Sequence, residues 1–82
     1  MEQIIDDLKA KQALERAITV AGGEFGMKRG FSALGREIGV GRQTIWAMLN
    51  TAGKASPQYV IDIERATGIS RHDLRPDIYP VE

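Results

Sequence analysis

Arginine and amide side chains that can read DNA bases stand close together between residues 42 and 50 of this 82-residue chain. Arg42 and Gln43 open a predicted helix, and their donor groups match the guanine and adenine edges that the major groove presents. Ala47 is small enough to let such a helix approach the bases closely. A solvated helix terminus is the alternative role for Arg42 and Gln43. The pattern predicts base contacts from four side chains: Arg42, Gln43, Trp46 and Asn50.

Trp46 is the one tryptophan of the chain, and helical periodicity places it on the flank of this helix rather than in the core. At about 100° per residue, Ile45, Met48 and Leu49 define the buried side. Three roles stay open for Trp46: partial burial against the loop of residues 22–30 or the N-terminal segment, stacking on DNA, or packing at a dimer contact.

A helix-turn-helix is predicted over residues 31–50, where two short helices flank a turn centred on Gly39. A small residue at the turn lets the two helices cross at about 90–120° with their backbones close. Gly35, four residues earlier, also permits a close crossing. Apolar residues that lock such a crossing stand before the turn, directly after it and in the second helix: Leu34, Ile38, Val40, Ile45, and Met48 or Leu49.

The first part of the chain is predicted to be helical as well, and no stretch alternates long enough to form a strand. Apolar residues between 11 and 21 recur at helical spacing, and Gly22-Gly23 ends that helix. Residues 22–30 hold four glycines and are predicted to form a loop, after which Ser32 caps the next helix. The chain 1–82 is therefore predicted to be a single all-α domain of four or five short helices.

Cap residues define the helices of the last third. Ser56-Pro57 is a strong helix start, because a cap residue is followed by proline at the first helical position. That helix is predicted to end at Thr67-Gly68. Ser70 and Asp73 fit the acidic variant of a capping box, which opens one last helical turn.

The C-terminal tail is expected to be extended, because Pro76 and Pro80 exclude regular helix from Arg75 onward. We expect Arg75 to pair with a carboxylate, and His72 to be an exposed polar residue. Three apolar side chains are expected to hold the tail on the core: Leu74, Ile78 and Tyr79.

Residues 1–11 form an N-terminal extension whose apolar stripe does not line up with that of the following helix. Ile4, Ile5 and Leu8 lie about 100° away from it when the helix is continued at ideal geometry. Either the helix breaks near residue 10, or the extension buries its stripe elsewhere. Three alternatives follow: the stripe folds back on the domain, it contacts another subunit or partner, or the end of the helix is frayed. A contact with another subunit would make these three residues candidates for a dimer contact.

The charge distribution favours a local phosphate-binding surface. Eleven basic and eleven acidic residues give zero net charge, which excludes a bulk polycation. Residues 24–54, however, carry five basic side chains against Glu24 and Glu37 only, and acidic segments flank this cationic middle. Phosphate contacts are expected from four side chains of the middle segment: Lys28, Arg29, Arg36 and Lys54.

Several classes of protein are excluded or disfavoured by what the sequence lacks. Cysteine is absent and histidine occurs once, so disulfides and Cys- or His-based metal sites are excluded. No nucleophile–base pair, glycine-rich phosphate loop or carboxylate pair stands out, so we expect neither an enzyme nor a cofactor. The first residues are unlike a signal peptide, and no apolar run approaches the roughly 18 residues of a membrane span. A cytoplasmic protein without membrane contact is expected.

A set of short motifs resembles one known family. The motifs are Ala13-Leu-Glu-Arg-Ala-Ile18 with Ala21-Gly-Gly23, Ile38-Gly-Val40, Thr44-Ile45, Leu49-Asn50, Ile63-Glu-Arg-Ala-Thr-Gly68 and the long run Ser70-Arg-His-Asp-Leu-Arg-Pro-Asp-Ile-Tyr-Pro80. Together they make residues 13–80 similar to the YdaS-like, Cro-type helix-turn-helix regulators of bacterial chromosomes and prophages. The resemblance implies a lambda-repressor-like domain that represses transcription, often as a toxin–antitoxin component.

The resemblance also implies which side chains belong to the recognition helix, with two departures. Residues 25–31 look like an insertion between the first and second helices. Family members tend to place tryptophan where Met48 stands and a polar residue where Trp46 stands, an exchange that affects sequence specificity more than DNA binding. Carried over by position, the recognition residues are Arg42, Gln43, Thr44, Trp46, Ala47 and Asn50.

We therefore expect a repressor that binds a double-stranded DNA operator as a homodimer, because one small module contacts few bases. The alternative is an antitoxin-like protein-interaction module that keeps the fold and acts on a protein partner. Zero net charge and the outward position of Trp46 favour this alternative slightly. A toxin as partner stays open, as does RNA polymerase, which the acidic face of Asp62 and Asp77 would contact.

Overall fold

Five α-helices form the domain, and the computed structural model describes the backbone of residues 2–80 and the side chains of residues 5–80. The helices are α1 (Glu2–Gly22), α2 (Gly26–Ile38), α3 (Arg42–Ala47), α4 (Val60–Thr67) and α5 (Arg71–Leu74). Short 3-10 turns at Gly23–Phe25 and Pro57–Tyr59 precede α2 and α4, and a π-turn at Met48–Ala52 continues α3. The predicted all-α fold is confirmed, and none of these helices is long and apolar enough to cross a membrane.

Helix α1 runs without interruption through residue 10, so the break considered there does not occur. Its middle contains good helix formers and neither glycine nor proline before Gly22. Ile5 and Leu8 are 65% and 57% exposed, so the apolar stripe does not fold back onto the domain either. The side chain of Ile4 lies outside the described residues. The first turns of α1 therefore leave the apolar side chains of Ile5 and Leu8 uncovered.

The segment 22–30 is largely helical, and its prediction as a loop is wrong. After the 3-10 turn, α2 already begins at Gly26, so Ser32 lies inside this helix and does not cap it. Gly23 and Gly26 do have positive φ angles, 61° and 67°, which redirects the chain between α1 and α2. The apparent insertion is thus an N-terminal extension of the first helix of the helix-turn-helix.

Two other glycines of this segment serve close packing rather than a turn. A Cβ atom on Gly30 would lie 1.8 Å from the carbonyl oxygen of Ile18, and one on Gly22 would lie 2.8 Å from the backbone nitrogen of Gly30. The backbones of α1 and α2 therefore touch where these helices cross. A side chain at Gly30 would have to push the two helices apart.

The helix-turn-helix lies where it was predicted, with α2 and α3 joined by a three-residue turn. Gly39 ends α2 in the left-handed conformation at φ 83°. The backbone N–H of Val40 donates to the carbonyl of Gly35 over 2.8 Å, and a Cβ on Gly35 would lie 2.6 Å from the Val40 oxygen. The turn thus runs directly against α2, which fixes the direction in which α3 leaves it.

One apolar core connects the helices. Most of the residues predicted to lock the crossing are buried in the core, as expected, whereas Ile38 and Val40 are half-buried at its edge. Burial of this kind contributes about 25 cal/mol per Å² of apolar surface. Each of the five helices contributes at least one of the largest fully buried side chains, and their packing holds the other helices against α3. These side chains are Leu14, Ile18, Leu34, Ile45, Val60, Ile63 and Leu74.

Only half of the predicted capping box is present at α5. The Ser70 hydroxyl oxygen accepts a hydrogen bond from the backbone N–H of His72 over 3.1 Å, as a cap should. Asp73 does not return the interaction, because its carboxylate faces Lys9 and Arg16 of α1, each at 3.6 Å. The carboxylate therefore ties α5 to α1 instead of capping α5.

The chain leaves regular helix after Leu74, as predicted, and then closes a turn. The backbone N–H groups of Ile78 and Tyr79 both donate to the carbonyl of Arg75. Leu74 is buried and Tyr79 packs against the core, but Ile78 is 45% exposed. The expected contribution of Ile78 to holding the tail is therefore wrong. His72 is half-buried rather than exposed, with Nδ1 2.7 Å from the carbonyl oxygen of Tyr79.

Candidate nucleic-acid interface

Helix α3 separates a buried face from an exposed one in the way its periodicity predicts. Ile45, Met48 and Leu49 are at most 5% exposed. Outside this buried face, all six side chains that were assigned to the recognition helix are exposed: Arg42, Gln43, Thr44, Trp46, Ala47 and Asn50. The fold therefore presents these side chains together on α3 and the π-turn that continues it.

Asn50 is partly occupied by its own helix. Its side-chain nitrogen donates to the carbonyl oxygen of Trp46 over 3.2 Å, at the point where α3 widens into the π-turn. One N–H group and the amide oxygen stay available for other partners. These are the two groups that a bidentate contact with an adenine edge uses, so Asn50 can make such a contact without losing its bond to Trp46.

Helix α3 stands as a ridge between two clefts. One cleft, of about 420 Å³, is lined by Gln43, Thr44, Ala47, Met48, Thr51, Ala52 and Ser56. The other, of about 320 Å³, is lined by Lys28, Phe31, Ser32, Arg42, Gln43 and Trp46. Gln43 borders both clefts, so the polar ridge protrudes from the domain surface. A protruding polar helix is the shape that enters a groove or a concave partner.

The second cleft shows what surrounds Trp46. The indole is 55% exposed, and it shares the cleft with Lys28 and Phe31 of the extended part of α2. The indole thus lines a cleft together with residues of α2 and leaves more than half of its surface exposed, and which of its three roles applies stays a prediction. Phe31 and Ser32 were not among the predicted site residues, since the sequence alone does not show which side of the first helix of the helix-turn-helix lies beside α3.

Three basic side chains near α3 are free of carboxylate partners within the described part of the chain: Lys28, Arg29 and Arg42. The guanidinium of Arg29 lies over the ring of Phe25, 5.0 Å from its centre. Arg36 is exposed as well, seven residues beyond Arg29 and thus on the same side of α2. Lys28 and Arg42 share the cleft of about 320 Å³, and Arg29 lines the neighbouring one with Lys28, so these three cations lie on one side of the ridge.

Lys54 differs from the other predicted phosphate contacts. Its ammonium nitrogen lies 3.2 Å from the Asp7 carboxylate of α1 and donates a hydrogen bond to it. Contact with a phosphate would therefore replace an existing ion pair. The pair connects the segment after α3 to α1, which gives Lys54 a structural role as well.

Charged groups around α5 are arranged in pairs, away from α3. The backbone N–H of Arg71, followed by its guanidinium, lowers the pKa of Glu64. Arg75 donates two hydrogen bonds to Asp77, at 3.0 and 2.7 Å, and lowers the pKa of that carboxyl to about 2. Asp77 raises the pKa of Arg75 in return. The expected carboxylate partner of Arg75 is thus confirmed.

Comparison with known proteins assigns the chain to a family. No curated protein and no solved structure matched the chain. A family model described as the bacterial toxin YdaS matches residues 14–82, a range that begins inside α1 and includes the whole helix-turn-helix. The resemblance to the YdaS family found in the sequence is confirmed. A helix-turn-helix with an exposed polar ridge and a match over most of the chain lead to one conclusion: the chain belongs to the YdaS family.

Proposed function

We propose that the chain binds double-stranded DNA through α3 and represses transcription in the manner of a Cro-type regulator. The observation that supports this most directly is the protruding ridge of α3, on which Arg42 and Gln43 stand exposed at the helix start. The ridge consists of a single helix, and the major groove is wide enough to admit one α-helix. A repressor acts where bacterial DNA lies, so the proposal includes a cytoplasmic location.

The base contacts follow from the donor and acceptor groups on the ridge. Arg42 suits guanine and Gln43 suits adenine, in each case through two hydrogen bonds. Thr44 and Ala47 offer methyl groups to thymine, and their small size lets the backbone of α3 come close. Asn50 keeps one N–H group and its amide oxygen for a base while the other N–H group remains bonded to Trp46. Each good pair discriminates against the wrong base by about 1–3 kcal/mol.

The phosphate contacts are supported by cations that form no ion pair within the described part of the chain. Lys28 and Arg29 of α2 line the clefts beside the ridge, and Arg36 continues their side of α2, where the DNA backbone would pass if α3 occupied the groove. Such contacts position the protein without reading sequence. Zero net charge is no obstacle, because the acidic residues that balance the chain are concentrated outside the segment 24–54.

A second copy of the chain is part of this proposal. A module with one short recognition helix contacts few base pairs, and two modules on adjacent half-sites double the contacts. Ile5 and Leu8, exposed on α1, are the contact candidates, together with Ile4. In sedimentation, Ile5→Asp should shift a dimer to monomer, whereas Val20→Asp, at the other end of α1 and 51% exposed, should not. An unchanged profile for Ile5→Asp removes α1 from the dimer contact.

The test of DNA binding begins with a random pool of duplexes, from which a preferred sequence is selected by repeated binding and amplification. Affinity for this duplex is then measured by anisotropy at about 50 and 200 mM salt, where a protein with several phosphate contacts weakens steeply. Arg42→Ala should lower the affinity about 5- to 150-fold. Arg65→Ala removes an exposed arginine of α4 and should leave it unchanged.

Failure to select a preferred duplex, with no effect of Arg42→Ala, favours the alternative, an antitoxin-like protein-interaction module. That alternative draws support from the exposed indole of Trp46 and from a family description that names a toxin. It predicts no selected duplex and no effect of Arg42→Ala on cell growth when the chain is expressed. Salt-independent binding, or equal affinity for every duplex in the pool, would contradict the repressor proposal.

A further inference from the structure

Two large aromatic side chains are exposed beside the cations of α2. Phe25 is 65% exposed and Trp46 is 55% exposed. They border neighbouring clefts: Trp46 lies in the cleft of about 320 Å³ described above, and Phe25 lines one of about 340 Å³ together with Lys28, Arg29 and Ser32. Lys28 and Ser32 line both clefts, so they form the wall between them.

Reading base pairs does not explain this arrangement. A duplex presents the edges of its bases in the groove, whereas the faces of the bases are stacked on each other. The broad face of an indole or phenyl ring makes its best contact with the face of an unpaired base. Phe25 also belongs to the 3-10 turn before α2 rather than to α3, outside the set of side chains that would read the groove.

Charge in the two clefts points to a phosphate-bearing ligand. Their lining contains Lys28, Arg29 and Arg42 and no aspartate or glutamate among the described residues. Each cleft has a volume at the lower end of the range for ligand sites, about 300–1,000 Å³. An aromatic wall on one side and a cation on the other suit one nucleotide in each cleft.

We infer that this surface binds a single strand of DNA, with one base stacked on Trp46, a second on Phe25, and the strand's phosphate bound to Lys28 between them. The inference rests on the proposed function, since it assigns a second form of DNA to the same side of the molecule. Arg29 covers one face of Phe25 at 5.0 Å and extends the stacking platform, as guanidinium planes do for unpaired bases. A strand of this kind becomes available wherever the duplex beside an operator opens.

The experiment measures binding of a fluorescently labelled oligothymidine strand to the full chain by anisotropy. Trp46 emission is recorded in the same titration with an unlabelled strand. A stacked base should quench Trp46, a readout that needs no mutation. Phe25→Leu and Trp46→Leu each remove a ring and should weaken strand binding at least about fivefold. Phe25→Tyr and Trp46→Phe keep an aromatic face and should restore most of the affinity.

Matched controls separate stacking from general loss of structure or charge. Ile78→Ala removes an exposed apolar side chain far along the sequence and should bind the strand as the unmodified chain does. Phe25→Leu should weaken binding of the selected duplex much less than strand binding, because Phe25 takes no part in reading the groove and touches the duplex contacts only through Arg29. Circular dichroism confirms that each variant is folded before its affinity is compared.

The outcomes distinguish this inference from the proposed function. Duplex binding without strand binding, or strand binding with constant Trp46 emission and no effect of the leucine variants, overturns the inference and keeps the repressor. Absence of both kinds of binding overturns both. A chain that binds oligouridine and not oligothymidine has an RNA site, which also overturns the inference. Strand binding that quenches Trp46 and requires both rings supports it.

Discussion

The cations of the helix-turn-helix and those of the C-terminal turn are used in opposite ways. Around α3, Lys28, Arg29 and Arg42 have no carboxylate partner among the described residues. Around α5, Arg71 lies 2.8 Å from Glu64 and Arg75 lies 2.7 Å from Asp77. The guanidinium of Arg75 is also the donor to the backbone carbonyl of Ala55, at 2.8 Å.

Aromatic side chains show the same contrast. Trp46 and Phe25 present more than half of their surface to solvent, whereas Tyr79 packs against the core with the Arg71 guanidinium 5.7 Å from its ring centre. Charged groups that are paired within the chain, and apolar surface that is packed against the core, stabilise the fold. Exposed aromatic rings and unpaired cations, gathered on α3, on the neighbouring part of α2 and on the 3-10 turn before it, are available to a ligand.

The substitution with the largest expected effect disrupts the contact between α1 and α2, on which both regions depend. Gly30→Ala places a Cβ 1.8 Å from the Ile18 oxygen, and because both atoms belong to rigid helical backbones, α1 and α2 must separate. We expect a loss of about 4 kcal/mol or more in the free energy of unfolding. That corresponds to a fall in Tm of at least about 15 °C, measured by thermal denaturation.

Gly41→Ala is the matched control for this substitution. Gly41 has φ −76°, and a Cβ there would meet nothing within 4 Å. Its Tm should stay within about 3 °C of the unmodified chain. Similar stability of the two variants would show that α1 and α2 do not touch as described.

A smaller effect tests the contrast between paired and unpaired arginines. Arg75→Ala leaves the carbonyl of the buried Ala55 without its donor and Asp77 without its partner, which should cost about 1–3 kcal/mol of stability. Arg42→Ala removes an exposed side chain and should change stability by no more than about 0.5 kcal/mol. Urea denaturation of both variants measures the difference. Equal losses would mean that Arg42 too contributes to the fold.

The smallest expected effect is on how the stability of the fold depends on pH. The pKa of Asp77 is lowered to about 2 in the folded chain, first by the hydrogen bonds from Arg75. A carboxyl whose pKa is lowered on folding stabilises the fold fully above its unfolded pKa of about 4, and this contribution disappears as the pH falls through about 2. In Asp77→Asn, stability should therefore change less between pH 4 and pH 2 than in the unmodified chain.

Asp62→Asn serves as the control for the acid experiment, because Asp62 forms no ion pair among the described residues. Its stability should follow the pH as steeply as that of the unmodified chain. If Asp77→Asn follows the pH just as steeply, the Arg75–Asp77 pair is not what resists acid in the C-terminal turn.

The periodicity of the sequence was sufficient for the helix-turn-helix. Ile45, Met48 and Leu49 recur at helical spacing, so their common burial and the exposure of the opposite face followed directly. Gly39 ended α2 as expected, because a left-handed residue after the last helical turn favours glycine. Elements whose stability comes from local geometry were thus predictable from local sequence.

The segment 22–30 was mistaken for a loop because glycine has two uses. Four glycines in nine residues are typical of an irregular connection, yet two of them, Gly22 and Gly30, allow two helix backbones to touch. Only the tertiary contact between α1 and α2 decides which use applies. Asp73 is a similar case, since its sequence position suited a cap but ion pairs with Lys9 and Arg16 of α1 took its carboxylate.

The sequence by itself determined the helical class, the position of the turn at Gly39, the family and the face of α3 that is exposed. All of these depend on neighbours within a few residues or on motifs that are contiguous. The tertiary structure decided that Lys28 stands beside Trp46 and that Lys54 is paired with Asp7. These side chains lie 18 and 47 residues apart in sequence, so only the packing of α1, α2 and α3 around the common core brings them together.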